Sequence, residues 1–208
     1  MIDIANELKV VYREVRERRE AGEAGSICVL LRRRYPVPVG DVWDALTIPA
    51  RLERWFLPVS GELREGGTFA AEGNAEGTVL QCERPYLLRL TWGEASSVVE
   101  LRLGSEDGDD TVLELEHTVP LSVAGSGAGA LYTGPGWDVS LLGLDQYVRG
   151  VEVGDPGMWE SSEDVQKFSQ HTVSAWASAI ENSGTATTEE IGAARQVSLA
   201  RFAPDVTA

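Results

Sequence analysis

A chain of 208 residues, 43% of them hydrophobic, can bury one substantial core with accessory elements. Its 18 basic and 33 acidic side chains leave a net charge of −15, which repels phosphate backbones and argues against nucleic acid as a partner. There is no apolar run of about 18 residues to span a membrane and no signal-peptide core in MIDIANELKVVYREV, so a soluble, cytoplasmic protein is expected. The charge is uneven: the first 34 residues hold eight Lys/Arg against six Asp/Glu, and the remainder ten against 27.

Residues 3–20 are predicted as an amphipathic helix. Ile4, Leu8, Val11 and Val15 fall on one stripe, and Arg13–Glu17 and Glu14–Arg18 are spaced for surface pairs. Such a stripe suits packing on its own domain or on a second copy, so a homodimer is one expectation. A strand follows over 27–35. Its three adjacent arginines, Arg32, Arg33 and Arg34, cannot form one basic surface, because neighbours on a strand point to opposite faces.

The stretch 37–58, VPVGDVWDALTIPARLERWFLP, reads as two short helices. Val39, Val42, Trp43 and Leu46 share an apolar face in the first. Pro49 suits the first turn of the second, which runs through Leu52, Trp55 and Phe56. Strand signals then come in quick succession: 61–64, 68–70, 77–83, 87–92, 97–103 and 111–119. They are separated by Gly, Pro and Asp turns. In the last pair, Val99, Leu101 and Leu103 alternate with Glu100 and Arg102, and Leu113 and Leu115 with Glu114 and Glu116, as in an antiparallel meander with one wet face.

Residues 120–136 read as a loop, flexible enough to gate a cavity. Its GSGAGA at 125–130 nearly matches a dinucleotide-binding fingerprint, with Asp145 at the expected distance. That fingerprint needs a βαβ unit, which a meander does not supply. A long helix begins near Trp137, with Leu141, Leu144 and Val148 on its stripe, and is able to cover the apolar face of the sheet. A further helix would carry Val165, Phe168, Thr172, Trp176 and Ile180 along one side. A last one starts at the capping box Thr187–Glu190.

Chemistry-bearing motifs are sparse. Cys28 and Cys82 lie far apart and read as small buried apolar groups. With two histidines, His117 and His171, and no spaced second ligand, neither metal nor cofactor is expected. His117 continues the Leu113–Leu115 face and therefore points inward, as a core histidine or as a polar contact inside a pocket. Arg89 alternates away from Leu88, Leu90 and Trp92, hence outward.

The order of elements resembles the helix-grip fold of the SRPBCC (START/Bet v 1-like) superfamily. The segments YPVPVGDVWDALTIPARLERWFLP, SGELREGGTF, EGTVLQCERPYLLRLTW, VELRL, TVLELEHTVP and GPGWDVSLLGL are more narrowly similar to the subfamily related to the activator of the 90-kDa heat-shock protein ATPase. The resemblance implies an α+β fold: a curved antiparallel sheet, two small helices and a long C-terminal helix over a cavity, with extra N- and C-terminal helices. It implies three regions: an N-terminal helical extension (1–26), the helix-grip domain (27–150) and a C-terminal helical extension (151–208). Its cavity often takes an apolar small molecule. Here the wall would comprise Trp55, Phe56, Phe69, Leu90, Trp92, Val99, Leu101, Leu115, His117, Trp137, Leu141 and Leu144. Binding of such a molecule, rather than catalysis, is the leading expectation. A polyketide cyclase- or dehydratase-like enzyme using His117 with a carboxylate or Arg89 as a polar catalytic pair, and a chaperone or regulator interaction module, are the alternatives.

Overall fold

The computed structural model describes residues 2–19, 25–106 and 109–206. Eight strands, β1 (Val11–Arg18), β2 (Ser26–Tyr35), β3 (Val59–Gly61), β4 (Thr68–Ala71), β5 (Ala75–Glu83), β6 (Leu87–Trp92), β7 (Glu94–Ser105) and β8 (Thr111–Pro120), form one antiparallel sheet. Its order is β1-β2-β8-β7-β6-β5-β4-β3. Eight α-helices accompany it among the described residues: α1 (Ile4–Lys9), α2 (Val39–Thr47), α3 (Pro49–Leu52), α4 (Leu121–Ala124), α5 (Gly134–Val148), α6 (Pro156–Glu160), α7 (Glu163–Ser183) and α8 (Thr188–Phe202). This is the α+β helix-grip arrangement expected from the order of elements.

The chain divides into two compact units. One comprises residues 1–31, 118–139 and 160–208, the other 32–117 and 140–159. In the first, α7 packs on β1 and on α8. Its stripe of Val165, Phe168, Thr172, Trp176 and Ile180 is entirely buried, as its spacing requires. Ser162 caps α7, and left-handed Gly184 ends it. The Thr187–Glu190 capping box starts α8.

The N-terminal segment departs from expectation. A helix over 3–20 gives way to the six-residue α1 followed by strand β1. The stripe Val11–Val15 is compatible with both, because a spacing of four is also twice the strand period. The β-branched Val10, Val11 and Val15 favour the strand. Arg13 does not pair with Glu17. Its guanidinium reaches Asp138 on α5, donating from Nε at 3.1 and 3.0 Å and from Nη2 at 2.6 Å. Trp176 Nε1 donates to the same carboxylate at 2.7 Å.

The 120–136 segment is also more ordered than a gating loop. After α4, Gly125 takes φ +74°, and residues Gly127–Tyr132 form a 3-10 helix packed on α7 and α8. Gly127 is buried and donates its N–H to Thr185 O at 3.0 Å, and a Cβ there would lie 1.8 Å from Thr185 Oγ1. The glycines serve close packing rather than a phosphate.

In the second unit, α2 buries Val42, Trp43 and Ala45, and α3 begins at Pro49 and stops at Leu52. Trp55 and Phe56 lie in the turns that follow, not on the helix. The meander from β3 to β7 pairs antiparallel, with a bulge at Leu80 between Val79 and Gln81.

Candidate functional site

The register of the meander assembles one apolar face. Val79 lies opposite Leu90, and Leu90 opposite Val99; Leu88 lies opposite Cys82 on one side and Leu101 on the other. Phe69 faces Gly77. On β8, Leu113, Leu115 and His117 alternate as buried positions, and the contact of His117 with Ser97, two residues before Val99, sets them on the same face. The opposite face carries Arg89 against Glu100, their charged groups 3.7 Å apart. Arg89 therefore points outward and is not assembled with His117.

Most of the expected wall residues occupy this unit. Trp55, Leu90, Val99, Leu115, Leu141 and Leu144 are buried, whereas Phe56, Phe69, Trp92 and Leu101 remain half-exposed. Trp55 is fixed by its Nε1, which donates to Ala45 O at 3.1 Å, and its ring lies 5.6 Å from that of Phe56. The rings of Phe69 and Trp92 lie 5.8 Å apart. Phe69 can sit there only because residue 77 is glycine: a Cβ would fall 2.7 Å from the ring and 2.0 Å from Thr91 O. Trp137 belongs to the segment of α5 in the other unit.

His117 is the polar group of this face. It is 2% exposed, with Nε2 2.8 Å from Ser97 Oγ. Burial pushes its imidazolium pKa from 6.5 down to about 4, so the ring is neutral at physiological pH. A neutral imidazole beside a serine hydroxyl can exchange hydrogen bonds with an uncharged oxygen or N–H. It is not a standing positive charge for an anion. Ser97 was not singled out from the sequence. Its only signal was its place in the alternation Ser97, Val99, Leu101.

The helix α5 is held against β2 by a second group that the sequence did not reveal. Arg33, expected only to alternate away from its neighbours, is 3% exposed and places Nη2 3.1 Å from Asp145 Oδ2. Arg149 donates from Nε to the same oxygen at 2.9 Å. Tyr35 donates its hydroxyl to Leu141 O at 3.2 Å. Gly143 lets the backbone of Trp55 approach, since a Cβ there would lie 2.9 Å from Trp55 O. These contacts fix the height and roll of α5, and so the direction of Leu141 and Leu144.

Cys82, half-buried at the outer end of the same face, has its thiol pKa raised by burial and by the Glu65 carboxylate, which disfavours a reactive thiolate. Among the described residues no helix is long and apolar enough to cross a membrane, and no three His, Cys, Asp or Glu side chains group so as to hold a metal ion.

Several known proteins share this arrangement. CalU16 from Micromonospora echinospora is 39% identical, with a TM-score of 0.66 over 82% of this chain and 98% of its own. An Hsp90 activator from Plasmodium falciparum is 22% identical, with a TM-score of 0.51 over 59% of this chain and 96% of its own. DynU16, from the dynemicin biosynthetic locus, is 22% identical, with a TM-score of 0.52 over 60% of this chain and 48% of its own. The last two share the fold alone. No curated protein matches the sequence. The family described as Activator of Hsp90 ATPase homolog 1-like protein matches residues 36–149, more than half of the chain. Together with the CalU16 likeness, that match makes this chain a member of the Activator of Hsp90 ATPase homolog 1-like family, with its SRPBCC-type helix-grip fold.

Proposed function

We propose that this protein binds an apolar small molecule between the inner face of the sheet and α5. One observation carries the reading. Phe69, Trp92 and Leu101 stay half-buried on a face whose other positions, Leu90, Val99 and Leu115, are buried, and Phe56 is half-buried in the turn beside Trp55. Large apolar side chains left partly open beside a packed core are the usual lining of a ligand site, and the tryptophan adds an N–H that can orient a guest. The neutral His117–Ser97 pair supplies one polar contact, which favours an uncharged ligand bearing a hydrogen-bonding group over a carboxylate or phosphate. The family match over residues 36–149 falls within 27–150, the stretch that would hold the ligand in this reading.

Native mass spectrometry of the protein purified from its own host, followed by denaturation and identification of what is released, tests the proposal. A co-purifying apolar molecule near unit stoichiometry is expected. An empty protein with no thermal shift across a lipid, polyketide and aromatic panel overturns it.

The burial of His117 with Ser97 keeps a second reading in view, a cyclase- or dehydratase-like enzyme with the neutral imidazole as proton acceptor. Turnover of the identified ligand, lost in His117→Gln while binding persists, would establish it. The outward position of Arg89 removes that residue from any such mechanism.

A further inference from the structure

The meander sorts its inner-face side chains into rows that run across the strands. In one row Val79, Leu90, Val99 and Leu115 are aliphatic and all buried, so packing closes it. The next row differs in kind. Phe69 lies over Gly77, Trp92 follows Leu90 by one strand period, and Ser97 and His117 are displaced from Val99 and Leu115 by the same step. This row therefore runs from two aromatic rings, 5.8 Å apart, to a polar pair in which His117 Nε2 lies 2.8 Å from Ser97 Oγ. The aromatic end is half-buried, and the polar end is buried.

Two irregularities shape the row. Only glycine at position 77 admits the Phe69 ring, whose atoms would lie 2.7 and 2.9 Å from a Cβ there. In β7 the register passes from Val98 opposite Thr91 to Glu94 opposite Trp92, so Ala95, Ser96 and Ser97 are extra to the ladder. Bulges re-aim side chains and are frequent beside functional sites. This one lies on the strand between Trp92 and His117.

On the basis of the ligand site proposed above, we propose that its occupant is an uncharged aromatic molecule bearing a hydroxyl or carbonyl oxygen, with its ring against Phe69 and Trp92 and its oxygen at Ser97, rather than an acyl chain. Trp92 and His117 stand on strands separated by β7 alone, about 10 Å apart across the sheet. A flat fused-ring molecule spans that distance with no torsional freedom to lose, and its contact with the two rings adds to its burial. An acyl chain gains neither advantage, and the packed row alongside offers it no room along the strands. Serine beside a neutral imidazole can meet either oxygen. When Oγ donates to Nε2 it accepts from a ligand hydroxyl, and when Nε2 carries the proton Oγ donates to a ligand carbonyl. Neither group carries a positive charge to hold a carboxylate.

Isothermal titration calorimetry of the full chain at pH 7 with 2-naphthol, naphthalene, 2-naphthoate and 1-decanol tests the class. 2-Naphthol, which joins ring and hydroxyl, is expected to bind about tenfold tighter than each of the others. Ser97→Ala, checked for folding by circular dichroism, should weaken 2-naphthol about tenfold and leave naphthalene unchanged. Trp92→Leu should weaken both uncharged ring probes and leave 1-decanol unchanged. Binding of 1-decanol or 2-naphthoate as tight as that of 2-naphthol overturns the proposed class while the ligand site stands. An affinity for 2-naphthol that Ser97→Ala does not alter overturns the placement of the oxygen. Binding of none of the probes removes the site and the class together.

Discussion

Lowering the pH should unfold this protein partly through one residue, His117. Its folded pKa is about 4, below the ordinary 6.5, because burial beside Ser97 disfavours the imidazolium. A histidine with a depressed folded pKa contributes stability that is present above its unfolded pKa and is lost as pH falls toward its folded value. The whole difference corresponds to about 3 kcal/mol, of which roughly 2 kcal/mol should be gone by pH 5. Carboxylates also titrate in this range, so the comparison must be made against a variant lacking the imidazole. His117→Gln keeps a hydrogen-bonding group of similar reach and cannot titrate. Urea unfolding followed by tryptophan fluorescence at pH 7, 6 and 5 gives both curves. Wild-type stability minus variant stability should shrink by about 2 kcal/mol between pH 7 and pH 5. A difference that stays constant, or grows on acidification, refutes the assignment of a buried, neutral His117.

Asp138→Ala leaves the buried guanidinium of Arg13 and the Trp176 N–H without their shared acceptor. Urea unfolding should show a loss of about 3–5 kcal/mol, most of it recovered in Arg13→Met/Asp138→Leu. Gly77→Ala places a methyl 2.0 Å from Thr91 O and against the Phe69 ring, so Phe69 must move. Calorimetry should show a loss on the order of 2 kcal/mol, with weakened retention of any co-purified ligand in native mass spectrometry.

What the sequence disclosed was whatever depended on one element and its period. The α7 stripe, the Thr187 capping box, the alternation of Leu113, Leu115 and His117 and the outward turn of Arg89 are all local statements, and each stands in the structure. The failures had two physical sources. Val11 and Val15 fit helical and strand periods alike, so spacing could not choose, and the edge of the sheet decided. The polar groups of consequence are joined across the chain, Arg13 to Asp138 over 125 residues and Ser97 to His117 over 20, and no local pattern encodes such a pair. Asp145 had drawn notice only for its distance from a glycine motif. The structure gives it a different role, as the acceptor of Arg33 and Arg149.

The two aspartates of α5 are separated by seven residues, which returns a helix to nearly the same side. Asp138 is tied to β1 through Arg13, and Asp145 to β2 through Arg33. Buried ion pairs add little net stability compared with apolar packing, because desolvation offsets most of the attraction, but breaking one is costly, so they enforce one arrangement over its neighbours. Rolling the 140–148 part of α5 would strip Asp145 of Arg33. Leu141, Leu144 and Val148 lie to one side of Asp145 on the same helix, so the Arg33 anchor that opposes the roll also aims them. In the proposed site, the half-buried Phe69 and Trp92 would form one wall and the α5 segment held by Arg33 a second that could not shift to suit a guest. Selectivity in such a site would come from α5 and its polar neighbour His117, with adaptability confined to the β4–β6 side.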